Sequence, residues 1–243
     1  MLSKNQVKFI TSLKQKKYRL QHHLFVAEGN KTINELLQSH FKLHHLYTTA
    51  SLNIDTINET LISVAELKKI SFLKTPNKAL AVFEIPESDS IDASKLIVAL
   101  NDIRDPGNLG TIIRLCDWFG VVDLVCSDET VDCYNPKVIQ ATMGSITRVN
   151  VSYVNLTDFL SKTKTEKFGA FMDGDSVYSK PLPKSGILVL GNEANGISED
   201  VSRLIKQKIS IPRFGNLQET ESLNVATATA ILLSEFKRNT TET

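Results

Sequence analysis

Leu96-Ile97-Val98-Ala99-Leu100-Asn101-Asp102-Ile103-Arg104-Asp105-Pro106-Gly107-Asn108-Leu109-Gly110-Thr111-Ile112-Ile113-Arg114 runs an apolar strand into a Pro-Gly-Asn turn and out again as a helix. Apolar runs of the same kind follow at 121–126, 149–154, 168–172, 187–190 and 209–211. Near-continuous apolar strands alternating with helices predict a parallel sheet covered on both faces. In such sheets ligands bind outside the carboxyl ends of the strands. The loops after Leu100, Leu190 and Ile211 are therefore where chemistry is expected.

All three loops are unusual. In the first, Gly107 and Gly110 allow close backbone approach at a helix N-terminus, a setting that suits an anion. The spacing is Gly-x-x-Gly, which is not the dinucleotide fingerprint and argues against a nucleotide-binding oxidoreductase. Arg114 lies far enough into the helix to reach back toward the loop mouth or to form a surface ion pair. The second loop is Leu190-Gly191-Asn192-Glu193-Ala194-Asn195-Gly196-Ile197-Ser198, with Ser198 placed to cap a helix. The third runs from Ile211-Pro212-Arg213-Phe214-Gly215 to Ser222-Leu223-Asn224 and opens a helix with apolar Val225, Ala228, Ile231, Leu232 and Phe236. Either Ser222 or Asn224 can cap that helix.

Ahead of this region lies a smaller α/β unit. Ser3 is placed as an N-cap, with Val7, Ile10 and Leu13 as the apolar stripe. Strands are expected at 24–27, 43–48, 61–64 and 80–85, with helices over 32–38 and 65–70. The polar, proline-led stretch Pro86-Glu87-Ser88-Asp89-Ser90 reads as a linker. The expected organisation is residues 1–86, a linker over 87–94 and a second domain over 95–243. The formal charge of +1 is unevenly spread. Residues 1–90 hold 12 Lys and Arg against 8 Asp and Glu, an excess of four positive charges, while the remainder carries three net negative charges. Lys4, Lys8, Lys14, Lys16, Lys17 and Arg19 fall in the first twenty residues with no acid between them, a stretch suited to a phosphate backbone or to a solvated helix face.

Asn108-x-Gly110-x-x-x-Arg114, Gly191-Asn192-Glu193-x-x-Gly196 and Ile211-Pro212 followed by Ser222-Leu223-Asn224-Val225 resemble, in order, the three motifs of the SpoU (TrmH) family of the SPOUT superfamily. These are S-adenosylmethionine-dependent RNA ribose 2′-O-methyltransferases. Phe25-Val26-Ala27-Glu28-Gly29 resembles part of that family's accessory RNA-binding domain, which is ribosomal-protein-like. The resemblance implies an α/β fold in which a C-terminal SPOUT-type parallel sheet carries a trefoil knot behind a small α/β RNA-binding domain. It implies S-adenosylmethionine held by Leu190, Gly191, Asn192, Gly196, Ile211 and Leu223. It implies a catalytic set of Arg114, Asn108, Glu193, Ser222 and Asn224. Arg114 is implied as the base, but a guanidinium with a pKa above about 12 is better suited to holding phosphate and stabilising charge on the ribose oxygen, and both roles stay open. Asn108 orients Arg114 or the ribose, Glu193 fixes its loop or Arg114, and Ser222 and Asn224 bind the nucleotide or cap the helix. The chain departs from the family pattern in the six residues 216–221 before Ser222 and in Arg213, where methionine is usual. The expected substrate is ribosomal RNA, with transfer RNA second. A non-catalytic RNA-binding assembly factor is the alternative. A homodimer is expected, with the apolar helix from Val225 able to support it or to pack within its own domain.

Several classes are excluded. No apolar run is long enough to span a membrane, and the start has no secretory h-region, which points to the cytoplasm. Cys116, Cys126 and Cys133 contain no CxxC and read as small buried hydrophobes. His22, His23, His40, His44 and His45 lack the partners of a metal site, so no metal is expected. Trp118 is read as core rather than as a stacking platform.

Overall fold

The computed structural model describes residues 1–52, 58–179, 181–215 and 222–238. The chain divides into two compact units, one of residues 1–87 with 132–147 and one of residues 88–131 with 148–243.

In the first unit, α1 (Lys4–Ser12) starts at Ser3, whose hydroxyl accepts the Gln6 N–H while the Gln6 side chain accepts the Ser3 N–H, a complete capping box. Then come α2 (Lys16–His22), β1 (Leu24–Glu28), α3 (Asn30–Leu37), β2 (Leu43–Thr48), β3 (Glu59–Leu61), α4 (Val64–Ile70) and β4 (Ala79–Glu84). The sheet order is β1-β4-β2-β3, with β4 antiparallel to both neighbours and β2 parallel to β3. Ile10, Leu13, Leu24, Val26, Leu67 and Leu80 meet in its core. The strand expected over 61–64 ends at Leu61. Ser63 forms a second capping box with Glu66, and Val64 begins a helix instead.

The second unit opens with β5 (Leu96–Asn101), α5 (Pro106–Trp118) and β6 (Asp123–Ser127). The chain then supplies α6 (Pro136–Thr142) and a 3-10 turn at Ser145–Thr147 to the first unit. It returns as β7 (Asn150–Val154), α7 (Leu156–Lys162), β8 (Lys167–Ser176), β9 (Gly186–Gly191), α8 (Glu199–Ser202), β10 (Gln207–Ser210) and α9 (Val225–Lys237). The order β10-β8-β9-β5-β6-β7 is parallel throughout, as the apolar runs predict. Leu100 pairs with Leu190 and Asn101 with Gly191, so the first two candidate loops leave the sheet side by side. Helices α5 and α9 pack against each other. Among the described residues no helix is long and apolar enough to cross a membrane.

Three expectations change. The sequence pattern assigns residues 132–147 to the second domain, yet they pack with the first unit. There Asp132 accepts hydrogen bonds from Arg19 Nε (2.8 Å) and Nη2, while Arg19 Nη1 reaches the carbonyls of Leu13 and Lys14. Arg19 is therefore a buried structural cation, 2% exposed, and not one of the residues offered to a phosphate. Trp118, expected in the core, is 82% exposed. It follows Arg114 by four residues and shares its exposed helix line, whereas Leu109, Ile112, Ile113 and Cys116 face inward. Of the two roles open to α9, the structure favours the second, since Val225, Leu232, Leu233 and Phe236 are buried within its own unit. All three cysteines are free and buried, as expected.

Candidate active site

The first two loops are locked to each other by asparagines. The Asn101 side chain accepts the Ser198 N–H at 2.7 Å. Asn192 Nδ2 donates to the Asp102 carbonyl at 2.7 Å, and its Oδ1 accepts the N–H groups of Ala194 and Asn195. Asn192 and Gly196 also exchange two backbone hydrogen bonds of 2.9 Å. Gly191 is forced by this closure, because a Cβ there would lie 2.2 Å from the Gly196 backbone. Gly196 itself has φ +67°, in the region where a side chain is strained. Ser198 stands at the N-cap of α8 but its hydroxyl makes no capping bond.

A relay then ties the first, second and third loops together. Asp105 caps α5 by accepting the Asn108 N–H at 2.8 Å. This presents the Asn108 amide, whose Nδ2 donates to Glu193 Oε1 at 2.7 Å. Its Oδ1 accepts from Asn224 Nδ2 at 2.9 Å. The remaining oxygen of Asn224 accepts the Ala226 and Thr227 N–H groups and so caps α9. Asn224, rather than Ser222, is thus the cap, and every polar atom of both asparagine amides has a role.

Beside this relay lies a cavity of about 1050 Å³. Leu190, Gly191, Asn192, Gly196, Ile211 and Leu223 all line it, as do Glu193 and Ser222. Asn108 and Asn224 join through the relay and do not line the cavity. Arg114 stands exposed on α5 outside the lining and makes no hydrogen bond or ion pair among the described residues. The six-residue segment 216–221 lies outside the described residues.

One wall of the cavity is absent from the sequence reading. The pairing of β10 with β8 jumps from Lys208↔Gly169 to Ile209↔Asp175, so residues 170–174 bulge out of the ladder. Ala170, Phe171 and Met172 on that bulge line the cavity, as does Phe214. Gly174 lets the strands meet again, since a Cβ there would sit 2.7 Å from the Ile209 backbone. The available signal was the polar Asp173-Gly174-Asp175 interrupting an apolar strand. The lining suits a ligand with an apolar body and a few polar groups. Leu190, Ile209, Ile211, Val225 and Leu232 form the wall, while Asn192, Glu193 and Ser222 supply the polar contacts.

Residues 95–234 match the model of the SpoU rRNA methylase family, and residues 4–81 match that of the MRM3-like substrate binding domain. The chain is 31% identical over 245 residues to the Bacillus subtilis 23S rRNA (guanosine(2553)-2′-O)-methyltransferase RlmP, covering 97% of each protein. A solved TrmH-family protein from Porphyromonas gingivalis is 39% identical, with a TM-score of 0.90 over 98% of this chain and 99% of that one. An rRNA methyltransferase from Sinorhizobium meliloti, solved with AdoMet bound, is 28% identical, with a TM-score of 0.86 over 100% of this chain and 97% of that one.

Proposed function

The chain belongs to the SpoU rRNA methylase family, and on that footing we propose how its residues transfer a methyl group to a ribose 2′-hydroxyl of ribosomal RNA. The enzyme is an S-adenosylmethionine-dependent RNA 2′-O-methyltransferase. The observation that carries the site assignment is the Asn224–Asn108–Glu193 relay beside the cavity. The apolar wall and the polar groups of the cavity fit the cofactor, with Leu190, Gly191, Asn192, Gly196, Ile211 and Leu223 holding it. When bound, the cofactor supplies an electrophilic methyl group whose leaving sulfur departs as a neutral thioether.

The chain contributes position and charge. Arg114 holds the phosphate next to the target ribose and stabilises the negative charge that grows on the 2′-oxygen as its proton passes to solvent water. Asn108, clamped by Glu193 on one side and Asn224 on the other, is rigid enough to orient that ribose, and such positioning supplies much of the acceleration. Ser222 borders the cavity and hydrogen-bonds the nucleotide. The C-terminal part of the unit forms the trefoil knot that the family resemblance implies. The first unit holds the RNA, supported by its match to a substrate binding domain and by the exposed Lys4, Lys8, Lys14, Lys16 and Lys17. The enzyme works in the cytoplasm as a homodimer. Trp118 at the end of α5 and Val122 in the loop that follows it, 82% and 47% exposed, give the dimer its apolar contact in place of the buried face of α9.

Mapping 2′-O-methylation across ribosomal RNA from cells with and without the gene tests the function, and loss at one position is expected. An Arg114→Ala protein should bind the cofactor normally and lose methyl transfer. A wild-type rate in that protein removes Arg114 from the mechanism. Trp118 is the only tryptophan, so its emission should shift to the blue as the protein is concentrated into dimers, and a monomer by light scattering at micromolar concentration contradicts the dimer.

A further inference from the structure

Phe214 lines the cavity yet remains 82% exposed, and Tyr178 beside it is 41% exposed. Their ring centroids lie 6.4 Å apart with planes 30° from parallel. Met172 and Leu223, also in the lining, are 54% and 47% exposed. Scattered exposed apolar residues need no explanation, but three in the lining of one cavity, with a fourth whose ring lies near-parallel to that of Phe214, form a continuous apolar surface suited to a flat ligand. Leu190, Ile209, Ile211 and Val225 already give the cofactor an apolar wall, and of the four exposed residues only Leu223 is among those that hold it.

A 2′-hydroxyl cannot reach a recessed methyl group while its nucleotide stays stacked in an RNA helix. The nucleotide has to be turned out, and its base then requires a π-surface to replace its lost neighbours. We propose that Phe214, backed by Tyr178, is the stacking platform for the nucleobase of the nucleotide being methylated. The assignment rests on the methyltransferase reading above and adds to it the group that takes the base. Tyr178 extends the flat surface and carries a hydroxyl that can meet a base edge. Stacking is tolerant of base identity, so this pair contributes grip and orientation and leaves the choice of position to other contacts.

The test uses the full chain, with unmodified ribosomal RNA from cells lacking the gene as methyl acceptor. Phe214 is so exposed that substitution leaves the fold alone. Phe214→Ala and Phe214→Leu should raise the KM for RNA by about 5- to 150-fold, the range for loss of one stacked base. Phe214→Tyr should restore it, and cofactor affinity by calorimetry should stay within about twofold of wild type. Leucine performing as well as phenylalanine overturns the proposal, because plain apolar contact would then suffice. So does a loss of cofactor affinity with an unchanged RNA KM, which would make Phe214 a cover for the cofactor. A wild-type dimer that Phe214→Ala converts to a monomer also overturns it. Filter binding of the same RNA separates this inference from its premise. A wild-type chain that methylates nothing refutes the premise, while equal RNA binding by wild type and Phe214→Ala refutes the platform.

Discussion

Asn224 performs two tasks that substitution can separate. Its Oδ1 caps α9 through Ala226 and Thr227, and its Nδ2 donates to Asn108. Asn224→Ala loses both. The cap is worth about 1 kcal/mol, and the exposed side-chain bond about 0.5–1 kcal/mol. The expected destabilisation is about 1.5–2 kcal/mol, which lowers the Tm of a chain this size by about 3–8 °C. Asn224→Asp keeps a carboxylate oxygen at the cap, where aspartate ranks with asparagine and its charge gains about 0.3–1 kcal/mol from the helix N-terminus. Its stability should therefore stay within about 0.5 kcal/mol of wild type. The relay, however, fails. Asn108 would face an acceptor on both sides, Glu193 and the introduced carboxylate, with only one amide nitrogen to offer. A fall in kcat/KM of at least about tenfold is expected, equivalent to about 1.4 kcal/mol of lost transition-state stabilisation. Circular dichroism melts read the first effect and methyl incorporation into ribosomal RNA reads the second. If Asn224→Asp melts as low as Asn224→Ala, the cap does not reside in Oδ1. If it methylates at the wild-type rate, the relay has no part in catalysis.

Gly191→Ala should fold poorly around the second loop and lose cofactor binding by calorimetry, because its Cβ would need room 2.2 Å from the Gly196 backbone. Gly196→Ala, with open space but φ +67°, should be the milder of the two. Asp132→Ala leaves Arg19 buried without its counter-charge and should cost about 3–5 kcal/mol in denaturant unfolding, whereas a surface pair such as Lys162–Asp158 should cost well under about 1 kcal/mol. Glu66 is held down to about 2 from its usual 4.5, first by the Ser63 N–H and then by the Leu2 N–H. A carboxylate lowered by folding stabilises fully above its unfolded pKa and ceases to do so as pH falls through the folded one. Acid melts should show wild type losing stability between pH 4.5 and 2 more steeply than Glu66→Gln, and parallel curves would refute that role.

The sheet is legible because its central strands β5, β6 and β9 are buried on both faces and so read as apolar runs. The loops are legible because glycines and asparagines stand where the chain turns sharply, and the structure gives each of Gly191, Asn192 and Gly196 a steric or hydrogen-bonding duty. Residue type misleads at Trp118. Its position, four after Arg114, already places it on the exposed line of α5. The β8 bulge is only half legible, because Asp173-Gly174-Asp175 marks an interruption while the size of the register jump depends on a second strand distant in sequence. The destination of residues 132–147 is hidden for a similar reason. Only the finished fold reveals that Asp132 answers Arg19.

That pairing bears on how the protein is made. Arg19 leaves the ribosome 113 residues before Asp132, and Phe25 likewise waits for Tyr134, whose ring centroid ends 4.9 Å away. N-terminal units commonly fold while the rest of the chain is still being synthesised. This one cannot close its own interior until more than half of the chain has been translated. Over that interval a nascent arginine destined for burial stays without its carboxylate, and the apolar interior around Phe25 stays incomplete. The segment that completes the first unit is encoded within the span that builds the second, so the two must mature together.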